Sequence, residues 1–186
     1  MSLTIARRHF TVSEFYRMAE AGILTEDARV ELIEGEIIEK CAIDSHHAAC
    51  VKRLHTFISR LIGDDIIIGV QDPIRLDDYS EPQPDLALLK ASDDFYAAHH
   101  PGPSDVLLVV EVSDTSLGYD REVKAPLYAV AGIPEVWVVD LQQAAITRYA
   151  KPNAGMYQDT AIFDRTESII SLTVPALSLS VGDILG

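Results

Sequence analysis

The sequence predicts an α/β protein in the α+β style, with a mixed β-sheet flanked by helices. Three observations indicate this class. Short apolar runs with strand character are interspersed with two long segments of helical periodicity. Residues 106–140 follow a strand, helix, strand order, which forms a right-handed crossover between parallel strands. The segment after residue 140 contains only strand-like runs, which predicts a C-terminal antiparallel meander.

The chain is expected to begin with a helix and a hairpin. Thr11 and Glu14 match a capping box, and Gly22 marks the end of the helix that follows. Gly35 lies between two strand-like runs and can supply the positive φ of a tight hairpin turn. The predicted hairpin strands are residues 30–33 and 36–40.

A long helix and three strands come next. Asp44 or Ser45 can cap the helix, whose apolar residues recur at helical spacing until Gly63. A loop or an irregular helical turn is expected over residues 92–103, where prolines and a histidine pair interrupt the pattern. The predicted strands are residues 66–70, 85–89 and 106–112.

The second long helix is predicted within residues 122–131, and Gly132 follows its end. A proline deep inside a helix breaks it, whereas the first turn tolerates one. Pro126 therefore predicts a helix start near Glu122, with Lys124 in the first turn. The remaining predicted strands are residues 135–140, 144–150, 156–163 and 168–172.

Length and composition predict a single domain over residues 1–186. The hydrophobic content of 48% and the charged content of 24% are ordinary for a globular protein. No apolar stretch reaches the roughly 18 residues of a membrane helix, and residues 1–10 contain no apolar signal core. Two cysteines form neither a disulfide framework nor an all-cysteine zinc site. We therefore expect a cytoplasmic protein with free thiols and no membrane contact.

The net charge restricts the possible partners. Fifteen basic residues stand against 29 acidic residues, which gives a formal net charge of −14. Affinity for DNA depends strongly on Lys and Arg at phosphates, so this charge counts against tight, non-specific binding. It leaves room for a local basic groove or for binding through a metal ion. The alternative explanation is a solvated acidic surface that maintains solubility.

Two carboxylates and a lysine form the main candidate for chemistry. Glu111 ends the most apolar strand, where an ionised carboxylate must be paired, hydrogen-bonded or bound to a cation. Asp85 starts a preceding apolar strand, so the two carboxylates meet if these strands are neighbours. Two such ligands with several waters commonly hold Mg²⁺, and Lys124 could stabilise charge on a phosphate. The alternative is an ion pair between Glu111 and Lys124, with Asp85 as a turn residue.

Several segments together resemble a known family. They are PQPDLALL, LLVVEVSDTS, YDREVKAPLYAVAGIPEVWVVD and, earlier in the chain, VELIEGEIIE. They are similar to the Uma-type restriction endonucleases, a bacterial group within the PD-(D/E)XK nuclease superfamily. The similarity extends from about Phe10 to the C-terminus. It depends on the combination of PD, EVxS, a D-x-x-x-K helix and aGxPExW, since each motif alone is weak.

The resemblance implies a restriction endonuclease-like core and assigns roles to individual residues. Asp85 and Glu111 match the metal ligands of the superfamily, with Mg²⁺ or Mn²⁺ as the cofactor. The superfamily lysine would stand at position 113, where this chain has Ser113. In the Uma-type pattern the lysine lies on the following helix, where Lys124 matches. Glu31 matches an acidic residue of the early hairpin, as a further ligand or a group that orients water.

Two more residues are candidates for the pocket. His47 matches a histidine at the start of the long helix and could line the pocket. The alternative for His47 is a helix N-terminal residue without chemistry. Asp120 is a possible pocket residue, but its position before a predicted helix favours a local helix cap over a metal ligand. Glu31 could likewise be a solvated residue at a strand edge.

These observations predict a Mg²⁺-dependent endonuclease that hydrolyses phosphodiester bonds, with DNA as its nucleic-acid partner. A homodimer is a further expectation, because a duplex has two strands to cut. One alternative is a catalytically inert nuclease-fold module that binds a partner. Another is a phosphodiesterase for RNA or nucleotides, although the interleaved aromatic and basic residues of a single-strand platform are lacking.

Overall fold

The computed structural model describes residues 7–25 and 27–186. The first two helices are α1 (Val12–Glu20), which is short, and α2 (Ser45–Leu61), which is long. The strands are β1 (Val30–Ile33), β2 (Glu36–Glu39), β3 (Ile66–Gly69), β4 (Leu86–Lys90), β5 (Val106–Ser113), β6 (Glu135–Asp140), β7 (Ala145–Asn153), β8 (Met156–Asp164), β9 (Ser168–Ile170) and β10 (Ser178–Ser180). A 3₁₀ turn, Pro103–Asp105, ends the irregular loop before β5.

A six-stranded mixed sheet forms the centre of the fold, in the order β3-β4-β5-β6-β7-β8. Neighbouring strands pair antiparallel, except β5 and β6, which pair parallel. A helix over residues 117–131 connects these two strands, as parallel pairing requires a crossover. The predicted class, a mixed sheet flanked by helices, is confirmed.

Two apolar layers cover the sheet on opposite faces. On one face α2 contributes Leu54 and Ile58, which pack with Leu108 of β5 in a continuous cluster. On the other face the helix over residues 117–131 contributes Leu127, which packs in a second cluster that includes Val109. Because side chains alternate along a strand, neighbouring residues of β5 face different layers. No helix among the described residues is long and apolar enough to cross a membrane.

The N-terminal helix and hairpin form as the sequence predicts. The N–H of Glu14 donates to Oγ1 of Thr11 at 3.2 Å, and the N–H of Thr11 donates to Oε2 of Glu14 at 3.0 Å, which completes the capping box. The turn between β1 and β2 holds Glu34 and Gly35 at φ of 51° and 78°, as a two-residue hairpin turn requires. A Cβ at Gly35 would lie 2.5 Å from the Cβ of His9. The expectation about a signal core falls partly on residues 1–6, which lie outside the described residues.

The second long helix begins earlier than predicted. It runs over residues 117–131, and we call it the composite helix; its parts are an α-helical turn Leu117–Tyr119, a π-helical turn Asp120–Lys124 and an α-helical segment Ala125–Ala131. The N–H of Ala125 donates to the carbonyl of Asp120, five residues back. This wide turn lies directly before Pro126, whose ring would meet a carbonyl four residues back in a regular α-helix. The predicted start near Glu122, with Lys124 in the first turn, is therefore wrong.

The C-terminal meander is shorter than predicted. Strands β7 and β8 extend the main sheet, but β9 pairs antiparallel with β10 in a separate two-stranded sheet. The sequence analysis did not predict β10 or the short helix Val181–Leu185 that follows it. This helix packs its buried Ile184 into the same cluster as α2. The end of the chain thus completes one apolar layer instead of widening the sheet.

Candidate active site

Antiparallel pairing brings the start of β4 to the end of β5. Leu86 pairs with Val110, so Asp85, one residue before β4, lies beside Glu111 and Val112. The N–H of Val112 donates to Oδ2 of Asp85 at 2.8 Å. Glu111 points to the face covered by the composite helix, whereas its two neighbours pack toward α2. The sheet register alone therefore places two carboxylates side by side.

Lys124 lies between two buried carboxylates. Its Nζ atom is 3.0 Å from Oε1 of Glu111 and 3.1 Å from Oε2 of Glu31. Tyr128, one turn further along the composite helix, donates its hydroxyl to Oε1 of Glu111 at 2.7 Å. The backbone N–H of Gln83 donates to Oε2 of Glu31 at 3.0 Å. The hairpin, β5 and the composite helix are thus joined through one lysine.

Asp85 is fixed by donors from three directions. Its Oδ1 atom lies 2.9 Å from Nε2 of His47 and accepts from Nε2 of Gln71 at 3.2 Å. His47 lies in the first turn of α2, where Asp44 is the N-cap and accepts from its N–H at 2.8 Å. Burial raises the pKa of Asp85, but the hydrogen bond and charge of His47, together with the hydrogen bonds from Val112 and Gln71, hold the pKa below its usual value. The hydrogen bond to Asp85 raises the pKa of His47 in turn.

Asp120 connects the end of β5 to the composite helix. Its Oδ2 atom accepts hydrogen bonds from the hydroxyls of Ser113 at 2.7 Å and Ser116 at 2.6 Å. Burial raises the pKa of Asp120 above its usual value. Asp120 lies in the π turn, and Ser116 is the N-cap of the first helical turn. The Asp120 side chain therefore holds two serines and does not cap the helix itself.

One cavity of about 360 Å³ connects these groups. Six of the seven predicted site residues line it: Glu31, His47, Asp85, Glu111, Asp120 and Lys124. Ser113, the seventh, is buried behind the lining and acts on Asp120. The structure therefore brings the predicted residues together, while their chemical roles stay predictions.

Sequence reasoning missed four other polar residues at this site. Lys40 and Tyr119 line the cavity, and Tyr128 and Gln71 hydrogen-bond the carboxylates. Tyr128 was detectable, because it stands four residues after Lys124 and shares its helix face. Lys40 is the last residue of the predicted hairpin, and only the closure of the hairpin over the sheet brings it to the cavity. Nothing in the local sequence marks Gln71.

Acidic groups outnumber basic groups in the cavity. Burial raises the pKa of Glu111 to about 8, the charge of Lys124 lowers it in part, and Asp120, Asp85 and Glu31 raise it further. Burial lowers the pKa of Lys124, but the charges of Glu111 and Glu31 outweigh burial, so its ammonium stays protonated. A bound divalent cation would neutralise the surplus negative charge.

The donor set fits a hard divalent cation. Mg²⁺ prefers oxygen ligands and usually keeps several waters. Among the described residues, no group donates a hydrogen bond to Oε2 of Glu111, and Oδ2 of Asp85 accepts only one. No group of three or more His, Cys, Asp or Glu side chains surrounds one metal position in the described part of the chain. An ion held by Asp85 and Glu111 would therefore complete its shell with water and substrate oxygens.

Comparison with known proteins identifies the fold and the family of the chain. The crystal structure of "a putative nuclease belonging to DUF820 from Anabaena variabilis ATCC 29413" matches with a TM-score of 0.72 and 17% sequence identity. The match covers 95% of this chain and 97% of that chain, so the protein has the fold of that nuclease-fold structure. The family model Uma2, described as "Putative restriction endonuclease", matches residues 12–182, and the chain belongs to this family. The comparison with curated proteins gave no match.

Proposed function

We propose that the protein is a Mg²⁺-dependent endonuclease that hydrolyses phosphodiester bonds in DNA. The observation that carries the proposal is the convergence of Asp85, Glu111 and Lys124 in one cavity. The family and the structural neighbour support a nuclease. The surplus of carboxylates supports the metal, because those groups need a cation before an anionic phosphate can approach.

Each residue then has a physical task. Asp85 and Glu111 would hold the ion, and His47 fixes the orientation of Asp85 through their 2.9 Å contact. When bound, Mg²⁺ polarises the scissile phosphate and lowers the pKa of a bound water. The Lys124 ammonium would stabilise the negative charge that develops on the phosphate in the transition state. Glu31 keeps that ammonium at the cavity from the opposite side, at 3.1 Å.

A metal titration tests the centre of the proposal. Mn²⁺ binding by calorimetry is expected to show a saturable site in the wild type that Glu111→Gln and Asp85→Asn remove. Glu122→Gln is the matched control, because Glu122 is exposed on the same composite helix two residues before Lys124. Absence of a saturable site in the folded wild type would favour the inert nuclease-fold module.

A cleavage assay tests the substrate. Supercoiled plasmid, single-stranded RNA and a small phosphodiester are incubated with Mg²⁺ or with EDTA. We expect nicking of the plasmid that requires Mg²⁺ and that Asp85→Asn abolishes, while Glu122→Gln cleaves like the wild type. Cleavage that persists in Asp85→Asn would contradict the proposal, and preferential cleavage of RNA or the small diester would contradict DNA as the substrate.

A further inference from the structure

The hydroxyl of Tyr119 is buried without a hydrogen-bond partner among the described residues. Tyr119 lines the cavity, on the first turn of the composite helix. Burial raises the pKa of Tyr119 and the nearby charge of Glu31 raises it further, so the hydroxyl keeps its proton and remains a donor. Buried polar atoms are nearly always paired in folded proteins, so an unpaired one at a cavity wall requires an explanation.

Two other tyrosines, one buried and one half-buried, show the usual arrangement. Tyr128 donates to Glu111 at 2.7 Å, and Tyr157 donates to the carbonyl of Ile133 at 2.9 Å. Tyr119 is half-buried like Tyr157, yet its buried hydroxyl has no acceptor among the described residues. Its acceptor must therefore come from the contents of the cavity.

Lys40 supplies a second donor at the same cavity. Its ammonium donates to the carbonyl of Gln83 at 2.8 Å, and no carboxylate of the described residues lies within 4.0 Å of it. Burial lowers the pKa of Lys40, and the charge of Lys124 lowers it further. The cavity thus contains one lysine held between two carboxylates and another with no carboxylate in contact.

We propose that Tyr119 and Lys40 bind the non-bridging oxygens of a phosphate group in the cavity. The inference rests on the proposed function, since it assigns where the substrate phosphate sits beside the ion. A phosphodiester carries a negative charge and oxygens that only accept hydrogen bonds. A phenol hydroxyl and an ammonium supply the matching donors. An ammonium has three N–H donors. Lys124 directs two of them to carboxylates and Lys40 directs one to a carbonyl, so Lys40 has the larger free donor capacity for the phosphate.

The test separates this subsite from the metal site. Inorganic phosphate is titrated into the Mn²⁺-loaded protein and followed by calorimetry and by the broadening of the ³¹P resonance. Tyr119→Phe is expected to weaken phosphate binding by about tenfold or more, the loss typical of one hydrogen bond to a charged group. Mn²⁺ affinity should be unchanged, and thermal stability should not fall, because the hydroxyl has no partner in the described part of the chain.

Lys40→Met should affect the binding of phosphate and of Mn²⁺ differently. Phosphate binding should weaken by about tenfold or more, whereas Mn²⁺ binding should stay equal or tighten, because a positive charge near the carboxylates is removed.

Tyr157→Phe is the matched control for Tyr119→Phe. It removes a hydroxyl that does have a partner, so stability should fall while phosphate binding stays as in the wild type.

Three outcomes would overturn the inference. If phosphate binds Tyr119→Phe and Lys40→Met as tightly as the wild type, the subsite is wrong and the metal centre stands. If Tyr119→Phe loses as much stability as Tyr157→Phe, the hydroxyl has a structural partner. If the folded wild type binds no Mn²⁺, the proposed function itself fails and this inference fails with it.

Discussion

Replacing Lys124 with methionine tests the charge arrangement at the centre of the cavity. Lys124 is 3% exposed, and its Nζ atom contacts Glu111 at 3.0 Å and Glu31 at 3.1 Å. Methionine keeps the apolar stem of the side chain and removes the ammonium. Two buried carboxylates then face each other without a cation, which is the situation in which breaking a buried ion pair is most destabilising.

The magnitude follows from the burial of both partners. Removing one partner of a buried ion pair costs about 3–5 kcal/mol. For a domain of this size each kcal/mol lowers Tm by about 2–4 °C, so Lys124→Met should lower Tm by roughly 6–20 °C in EDTA. A divalent cation would replace the missing charge. At 100 times its Kd, a cation stabilises the protein that binds it by about 2.7 kcal/mol. Loss of the ammonium should tighten cation binding by the two carboxylates, so at the same Mg²⁺ concentration the variant should gain more stability than the wild type.

Thermal unfolding followed by circular dichroism, in EDTA and in excess Mg²⁺, measures both quantities. Lys52→Met is the control, because Lys52 is exposed on α2 and the same substitution there removes only a surface charge. A variant as stable as the wild type in EDTA would refute the reasoning about the buried pair. A variant that is destabilised but gains nothing from Mg²⁺ would refute the metal site.

Two further predictions concern groups away from the cavity. Glu135 is fully buried; its Oε1 accepts from Nε1 of Trp137 at 2.7 Å and its Oε2 from donors of residues 171–173. Glu135→Gln places an amide N–H₂ against one of these sets of donors. The free energy of unfolding in urea should therefore fall by about 2–4 kcal/mol, and Mn²⁺ binding should stay as in the wild type. An unchanged midpoint of urea unfolding would contradict this prediction. Burial raises the pKa of the Cys50 thiol to about 12, whereas Cys41 is exposed. A disulfide reagent at pH 8 should therefore modify one thiol in the native protein and two in denaturant, and two rapid reactions in the native protein would contradict the buried assignment.

The sequence was sufficient for features that are set by local chemistry. The capping box at Thr11 and Glu14 and the positive φ at Gly35 are fixed by residues within one or two turns. The meeting of Asp85 and Glu111 was predicted only on the condition that their strands are neighbours, and the pairing of β4 with β5 meets that condition. The strand order then brought both carboxylates to one end of the sheet.

Features set by distant partners were not predictable in the same way. Exposed side chains alternate with more buried ones in both β8 and β9, but β9 pairs with β10 instead of extending the main sheet. This pairing depends on how the C-terminal segment packs against α2. Pro126 is compatible with a helix that starts just before it and with a longer helix that contains a π turn. The first arrangement was predicted, and the structure has the second. The π turn also determines which residues of the composite helix face the cavity, so Tyr119 could not be assigned to the site from helical spacing alone.

The unsatisfied groups distinguish a binding site from a structural ion pair. A purely structural arrangement gains most when every buried polar atom has a partner, because each unpaired one costs free energy. Here the Glu111–Lys124 pair is well formed, but the hydroxyl of Tyr119 is buried without a partner and Oε2 of Glu111 accepts no hydrogen bond among the described residues. One of these atoms is an acceptor suited to a cation, and the other is a donor suited to an anion. An ion and a phosphate bound together would satisfy both, which is why we favour catalysis over an inert scaffold.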